Sequence, residues 1–147
     1  MRLLLLSLLS FALATVKNCD PNSLLQITTL SLTPDPPIQG EPVKLSLVFN
    51  NPGEAITAGT ATTTVSLNGL PFSSTGSLCE DTECPIVSGV NDRSVVSDWP
   101  DVSDVITSKI MWSNDNGESL LCIQIKVSPS NALVKRFRGE LQNISEY

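Results

Sequence analysis

Four cysteines are the residues best placed to do chemistry. Cys19, Cys79, Cys84 and Cys122 could form two disulfides or hold a zinc ion. Zinc sites built from four cysteines usually carry two close pairs, and here only Cys79 and Cys84 are close, so no metal is expected. Four cysteines allow three connectivities. Cys79 and Cys84 bracket Glu80-Asp81-Thr82-Glu83, a short polar loop that they would clip, leaving Cys19 for Cys122. The longer bridge would close about a hundred residues, worth roughly 4–5 kcal/mol in the chain-entropy picture. Catalysis finds little to work with. There is no His, which removes every Ser-His and Cys-His pair and the commonest metal ligand. Asp98, Asp101 and Asp104 recur every three residues, and Glu80, Asp81 and Glu83 cluster. Such groups can bind calcium or move protons, but more often form a solvated face, which is the reading taken here. Asn114-Asp115-Asn116-Gly117 has some features of a calcium loop, yet Trp112 occupies the first ligand position and no Glu closes it. It reads as a hairpin turn. No enzyme and no cofactor are expected.

The elements that position these residues follow from composition and pattern. A chain of 147 residues is one domain's worth. With 41% hydrophobic and 16% charged residues it is not a disordered chain. Nine Lys+Arg against fifteen Asp+Glu give a net charge of −6, which argues against a general nucleic-acid binder. Arg2 is followed by Leu3, Leu4, Leu5, Leu6, Leu8, Leu9, Phe11 and Leu13, and Ala12-Leu13-Ala14 is a small-x-small cleavage site. Residues 1–14 therefore read as a secretory signal peptide, too short to span a bilayer comfortably. The expected location is secreted or an endolysosomal or vacuolar lumen.

The rest of the body, residues 15–130, reads as strands and turns. Strands are expected over Leu24–Leu32, Val43–Phe49, Thr60–Leu67, Leu70–Phe72, Val90–Val96, Val105–Trp112 and Ser119–Val127. Val43, Leu45, Leu47 and Phe49 share a face, as do Ala61, Thr63, Val65 and Leu67, and Leu121, Ile123, Ile125 and Val127. Asn68-Gly69 and Asn116-Gly117 mark hairpins. Seven or so short strands imply an all-β sandwich or barrel, and no convincing helix precedes residue 131. Residues 131–147 form a basic tail with Lys135, Arg136 and Arg138, and Asn143-Ile144-Ser145 matches a glycosylation acceptor. An antibody-type sandwich would place a Tyr two residues before the second bridging Cys, where this chain has Leu120. Cys122 instead shares a face with Gln124 and Lys126, so the long bridge should lie outside the apolar interior.

The order of motifs carries a family resemblance. Asn18-Cys19 precedes a strand, then come Pro34-Asp35-Pro36-Pro37-Ile38-Gln39-Gly40, Leu78-Cys79-Glu80, Cys84-Pro85-Ile86-Val87-Ser88-Gly89 and finally Ser119-Leu120-Leu121-Cys122. This resembles the ML lipid-recognition superfamily from Cys19 to about Ser128. The proline-rich and Cys-Pro-Ile runs are similar to its phosphatidylglycerol/phosphatidylinositol transfer branch. Asn68-Gly69-Leu70-Pro71-Phe72 and Asn116-Gly117-Glu118-Ser119 are similar to its Niemann–Pick type C sterol-transfer branch. The sterol branch has a third disulfide where this chain has Pro34-Asp35-Pro36-Pro37, which tilts the resemblance toward phospholipid. The resemblance implies an immunoglobulin-like two-sheet β-sandwich holding a phospholipid or sterol between the sheets. It further implies a monomer that carries lipid and touches membrane surfaces transiently, without nucleic acid. The implied cavity wall is Leu45, Leu47, Phe49, Ala61, Thr63, Val65, Leu70, Phe72, Ile86, Ile110, Trp112, Leu121 and Ile123. The small Ala61-Thr63-Val65 face is where the sheets would fail to fill the space between them. The competing reading is a recognition module, a co-receptor subunit or adhesion domain of sandwich fold that transports nothing.

Overall fold

The computed structural model describes residues 13–38, 40–98 and 105–128. Eight strands and one short helix follow in order: β1 Leu13–Asn18, β2 Gln26–Thr33, β3 Pro42–Asn51, β4 Thr60–Leu67, β5 Leu70–Ser77, α1 Leu78–Asp81, β6 Gly89–Asp98, β7 Ile106–Ser113 and β8 Ser119–Ser128. They form two antiparallel sheets, ordered β1-β8-β7-β4-β5 and β2-β3-β6. Of the sandwich and barrel that the strand pattern left open, the chain is the two-sheet sandwich that the family resemblance implied. Two elements escaped the sequence reading. β1 takes in Leu13 and Ala14, the last residues of the segment assigned to the signal peptide, and pairs with β8 from Leu13↔Ser128 to Asn18↔Ile123. A cut after Ala14 would shorten that strand to Thr15–Asn18; residues 1–12 lie outside the described residues, as do Asp101, Asp104 and the tail with Asn143. The other is α1, a single turn at Leu78–Asp81 where no helix was expected. Four residues are too few to show helical periodicity.

Local chemistry explains the hairpins. Asn68 and Gly69 both adopt positive φ, 50° and 81°, as a two-residue turn between right-twisted strands requires. Between β7 and β8, Asn114 Oδ1 accepts from the backbone N–H groups of Asn116 (3.0 Å) and Glu118 (2.9 Å), and Gly117 N–H donates to Asn114 O at 3.0 Å. That is a polar turn closed on itself. A bulge between Trp112 and Ser113 adjusts the register at the same end.

The packing is unusual for a sandwich. Among the described residues the buried apolar side chains form two clusters, joined only through the partly buried Val16 and Ile125 that pack against both. The larger joins Leu25, Leu47, Phe49, Ala61, Leu78, Ile86, Trp112, Leu120, Leu121 and Ile123; Phe49 and Trp112 meet edge to face across the layers at 6.1 Å. The smaller joins Leu32, Val43 and Val127, with Leu45, Ile106 and Ile125 beside it. Disulfides link Cys19 to Cys122 and Cys79 to Cys84, the pairing that loop spacing favoured. Cys122 is buried, yet it belongs to neither apolar cluster.

Candidate lipid cavity

Between the two sheets lies an open cavity of about 560 Å³. Sandwich sheets normally pack about 10 Å apart with interdigitated side chains and leave no such space. Its size falls within the usual range for small-molecule sites, roughly 300–1,000 Å³. Leu32 of β2 and Val43, Leu45 and Leu47 of β3 line one wall. Ile110 and Trp112 of β7 and Ile123 and Ile125 of β8 line the other. Each group follows from alternation, because these residues sit two apart on the inward face of a strand.

The rim is polar and tied down. Asp81, Thr82, Glu83 and Arg93 line it, with Val95 and Ser97 further along β6. Trp112 donates its indole N–H to Asp81 Oδ2 at 2.6 Å. From the opposite sheet Arg93 donates Nε–H to Thr82 Oγ1 at 3.3 Å, and its NH2 group reaches Glu83 O at 3.5 Å. The loop clipped by Cys79–Cys84 is thus a crosspiece, fastened to the five-stranded sheet by Trp112 and to the three-stranded sheet by Arg93. This corrects the reading of Glu80, Asp81 and Glu83 as only a solvated face. Asp81 anchors a wall residue of the cavity. All four acceptors of Arg93, Thr82 Oγ1, Glu83 O, Asn91 Oδ1 and Asp92 O, are neutral, so its charge has no carboxylate partner among the described residues.

Of the expected wall residues the structure brings Leu45, Leu47, Ile110, Trp112 and Ile123 to this cavity. Phe49, Ile86 and Leu121 are instead fully buried in the larger cluster. Ala61 and Thr63 line a separate, more polar hollow of about 240 Å³ with Ser74, Thr75 and Gly76, and Val65 lines neither space. Leu70 and Phe72 are exposed, at 66% and 61%. The physical reason is overhang. Among the described residues the sheet with five strands is wider than the one with three, and β5 with the far end of β4 forms its uncovered margin. Val43 and Ile125, which also line it, share strand faces with expected residues, so alternation already marks them; Leu32 comes from β2, a strand that gave no expected wall residue. Arg93 and Val95 had no such signal, because only the register Leu47↔Arg93 and Leu45↔Val95 puts them on the inner face.

The model of the ML domain matches residues 14–128. The chain belongs to the ML family of lipid-recognition domains. Among solved structures, this ML domain is similar to a Niemann-Pick type C2 protein from Japanese carpenter ant, with 12% identity and a TM-score of 0.55 over 76% of this chain and 96% of that one. That likeness is one of fold. Chicken MD-1 complexed with lipid IVa aligns at 16% identity and a TM-score of 0.46, over 80% of this chain and 90% of that one. No curated protein matches the chain significantly.

Proposed function

We propose that this ML domain binds one lipid between its sheets and carries it between membranes. The observation that carries the reading is the cavity, about 560 Å³ with aliphatic and indole walls contributed by both sheets. An acyl chain or sterol skeleton placed there would gain about 0.8 kcal/mol per buried CH₂. Its polar head would rest at the rim, where Thr82, Arg93, Asp81 and Glu83 offer donors and acceptors. No step of bond making is involved. Two disulfides fit an oxidising compartment, in keeping with a secreted or endolysosomal protein acting as a monomer that touches membranes briefly.

Native mass spectrometry of the protein purified from a eukaryotic secretion host, followed by lipid extraction, tests this. A stoichiometric bound lipid, and exchange of a fluorescent sterol or phosphatidylinositol between vesicles, are the expected results. A second reading rests on the exposed Leu67, Leu70 and Phe72 of the β4–β5 margin, which suit a protein partner better than solvent. A protein recovered without lipid, unable to take up either probe, would replace the carrier by that recognition module.

A further inference from the structure

The charges of this acidic chain are sorted by sheet. The strands of the five-stranded sheet, β1, β4, β5, β7 and β8, contain no Asp or Glu at all. Their only charged residues are Lys17, Lys109 and Lys126. The described carboxylates lie on loops, on α1 and on β6. The pairing register then places all three lysines on one side. Lys17 and Lys109 both lie opposite Gln124, one strand to either side of it, and Lys126 lies between Thr15 and Thr107. Residues directly opposite across a ladder point to the same face. That face is the outer one, since Ile123, Ile125, Ile110 and Trp112 alternate with these positions and point inward to the cavity.

The three ammonium groups are exposed, and none has an ion-pair or hydrogen-bond partner among the described residues. Two strand spacings separate Lys17 from Lys109, about 10 Å, and Lys126 lies about 7 Å along the strands from the line joining them. Those separations are comparable to the Debye length of about 8 Å at physiological ionic strength, so the three charges act as one positive field. Hydroxyl groups carpet the remainder. Thr62 and Thr75 pair at 3.0 Å, Thr64 and Ser73 at 2.8 Å, and both pairs continue the same face across β4 and β5.

We infer that this outer face docks an anionic polysaccharide, with the lysines engaging sulfate or carboxylate groups and the Thr/Ser carpet the sugar hydroxyls. The chemistry of the face selects this occupant. A protein partner's binding energy concentrates in aromatic or aliphatic anchors seated in pockets, and a bilayer is gripped by inserted apolar side chains. Among the described side chains this face offers neither, its long apolar ones being the partly buried Met111 and the fully buried Leu120. The site is separate from the lipid cavity and does not depend on the carrier reading.

The test uses the full secreted chain with size-defined heparin oligosaccharides as the probe. Binding is expected at physiological salt, to weaken steeply as salt rises, and to be absent for neutral dextran. Joint substitution Lys17→Gln, Lys109→Gln and Lys126→Gln should weaken binding by about tenfold or more, given roughly equal contributions from each cation. Lys44→Gln, on the other sheet, should leave it unchanged, and arginine at all three positions should restore it. On the unaltered chain, heparin should shift amide resonances of β1, β7 and β8 and spare those of β2 and β3, which reads the site without any substitution. Three results overturn the proposal: no heparin binding; binding that survives the triple change while neutralising Lys135, Arg136 and Arg138 abolishes it; or attachment to anionic phosphatidylserine vesicles through these lysines with none to heparin.

Discussion

Ile110 and Trp112 face the cavity from the same strand but have different work. Ile110 is only partly buried and borders open space, so a larger side chain can enter the cavity instead of straining a filled core. Ile110→Trp should lower lipid uptake at least tenfold while shifting the melting temperature by only a few degrees. A collapse of folding comparable with the 1–3 kcal/mol or more typical of overpacking would place the ligand elsewhere. Trp112 is held by Asp81 as well as by Phe49. Because Asp81 is solvent-exposed, its removal should cost only about 1 kcal/mol. Yet Asp81→Ala frees one end of the crosspiece, so lipid exchange should quicken severalfold and the emission of Trp112, read in a Trp99→Phe background, should move to the red. Gly59 shows the opposite sensitivity. A Cβ there would collide with the carbonyl oxygen of Ser113 and press on Leu78, and backbone cannot yield as a flexible side chain can. Gly59→Ala should cost about 2 kcal/mol or more, the range of strained core substitutions, measured by denaturant unfolding.

At the scale of elements the two disulfides divide their roles by loop length. Cys19–Cys122 spans 103 residues and ties β1 to β8, so its removal should cost several kcal/mol, within the usual 2–5 for small secreted domains. Cys79–Cys84 spans 5 residues and restricts the unfolded chain far less. Its removal should cost about 2 kcal/mol in the same chain-entropy picture, less than half the cost of losing the longer bridge, while loosening the crosspiece that Trp112 and Arg93 hold. Paired Cys→Ser variants, compared by calorimetry and by lipid-exchange rate, check this separation. Equal exchange rates would show that the rim loop has no part in retaining ligand.

For the whole molecule, an internal space between two apolar clusters is a liability unless something fills it. A void forfeits the contacts its walls would otherwise make. A bound lipid should therefore stabilise the fold, by about 2.7 kcal/mol at a free concentration a hundred times its dissociation constant. Thermal melting of delipidated protein, titrated with fatty acid, sterol or phosphatidylinositol, should rise with concentration for the matching ligand and stay flat for the others. A melting curve indifferent to all three would leave a thin sandwich whose functions lie on its surfaces, the β4–β5 margin and the lysine face among them.

Much of this was legible in the residues alone. Alternation on β3, β4 and β8, turn chemistry at Asn68-Gly69 and Asn116-Gly117 and the spacing of the cysteines follow from rules that act over a few residues. They were enough to give most of the strands, a sandwich or barrel, and the bridge pairing, but not β1. Which inward faces meet was decided elsewhere. Alternation says that Val65 and Ile110 both point inward, but not that, among the described residues, the second sheet has three strands and leaves the β4–β5 margin uncovered. Sheet width, register and layer overlap depend on residues far apart in the chain, and no local pattern encodes them. For that reason the sequence marked Leu45, Leu47, Ile110, Trp112 and Ile123, while only the tertiary structure brought Arg93 and Asp81 to the rim and gathered three scattered lysines onto one face.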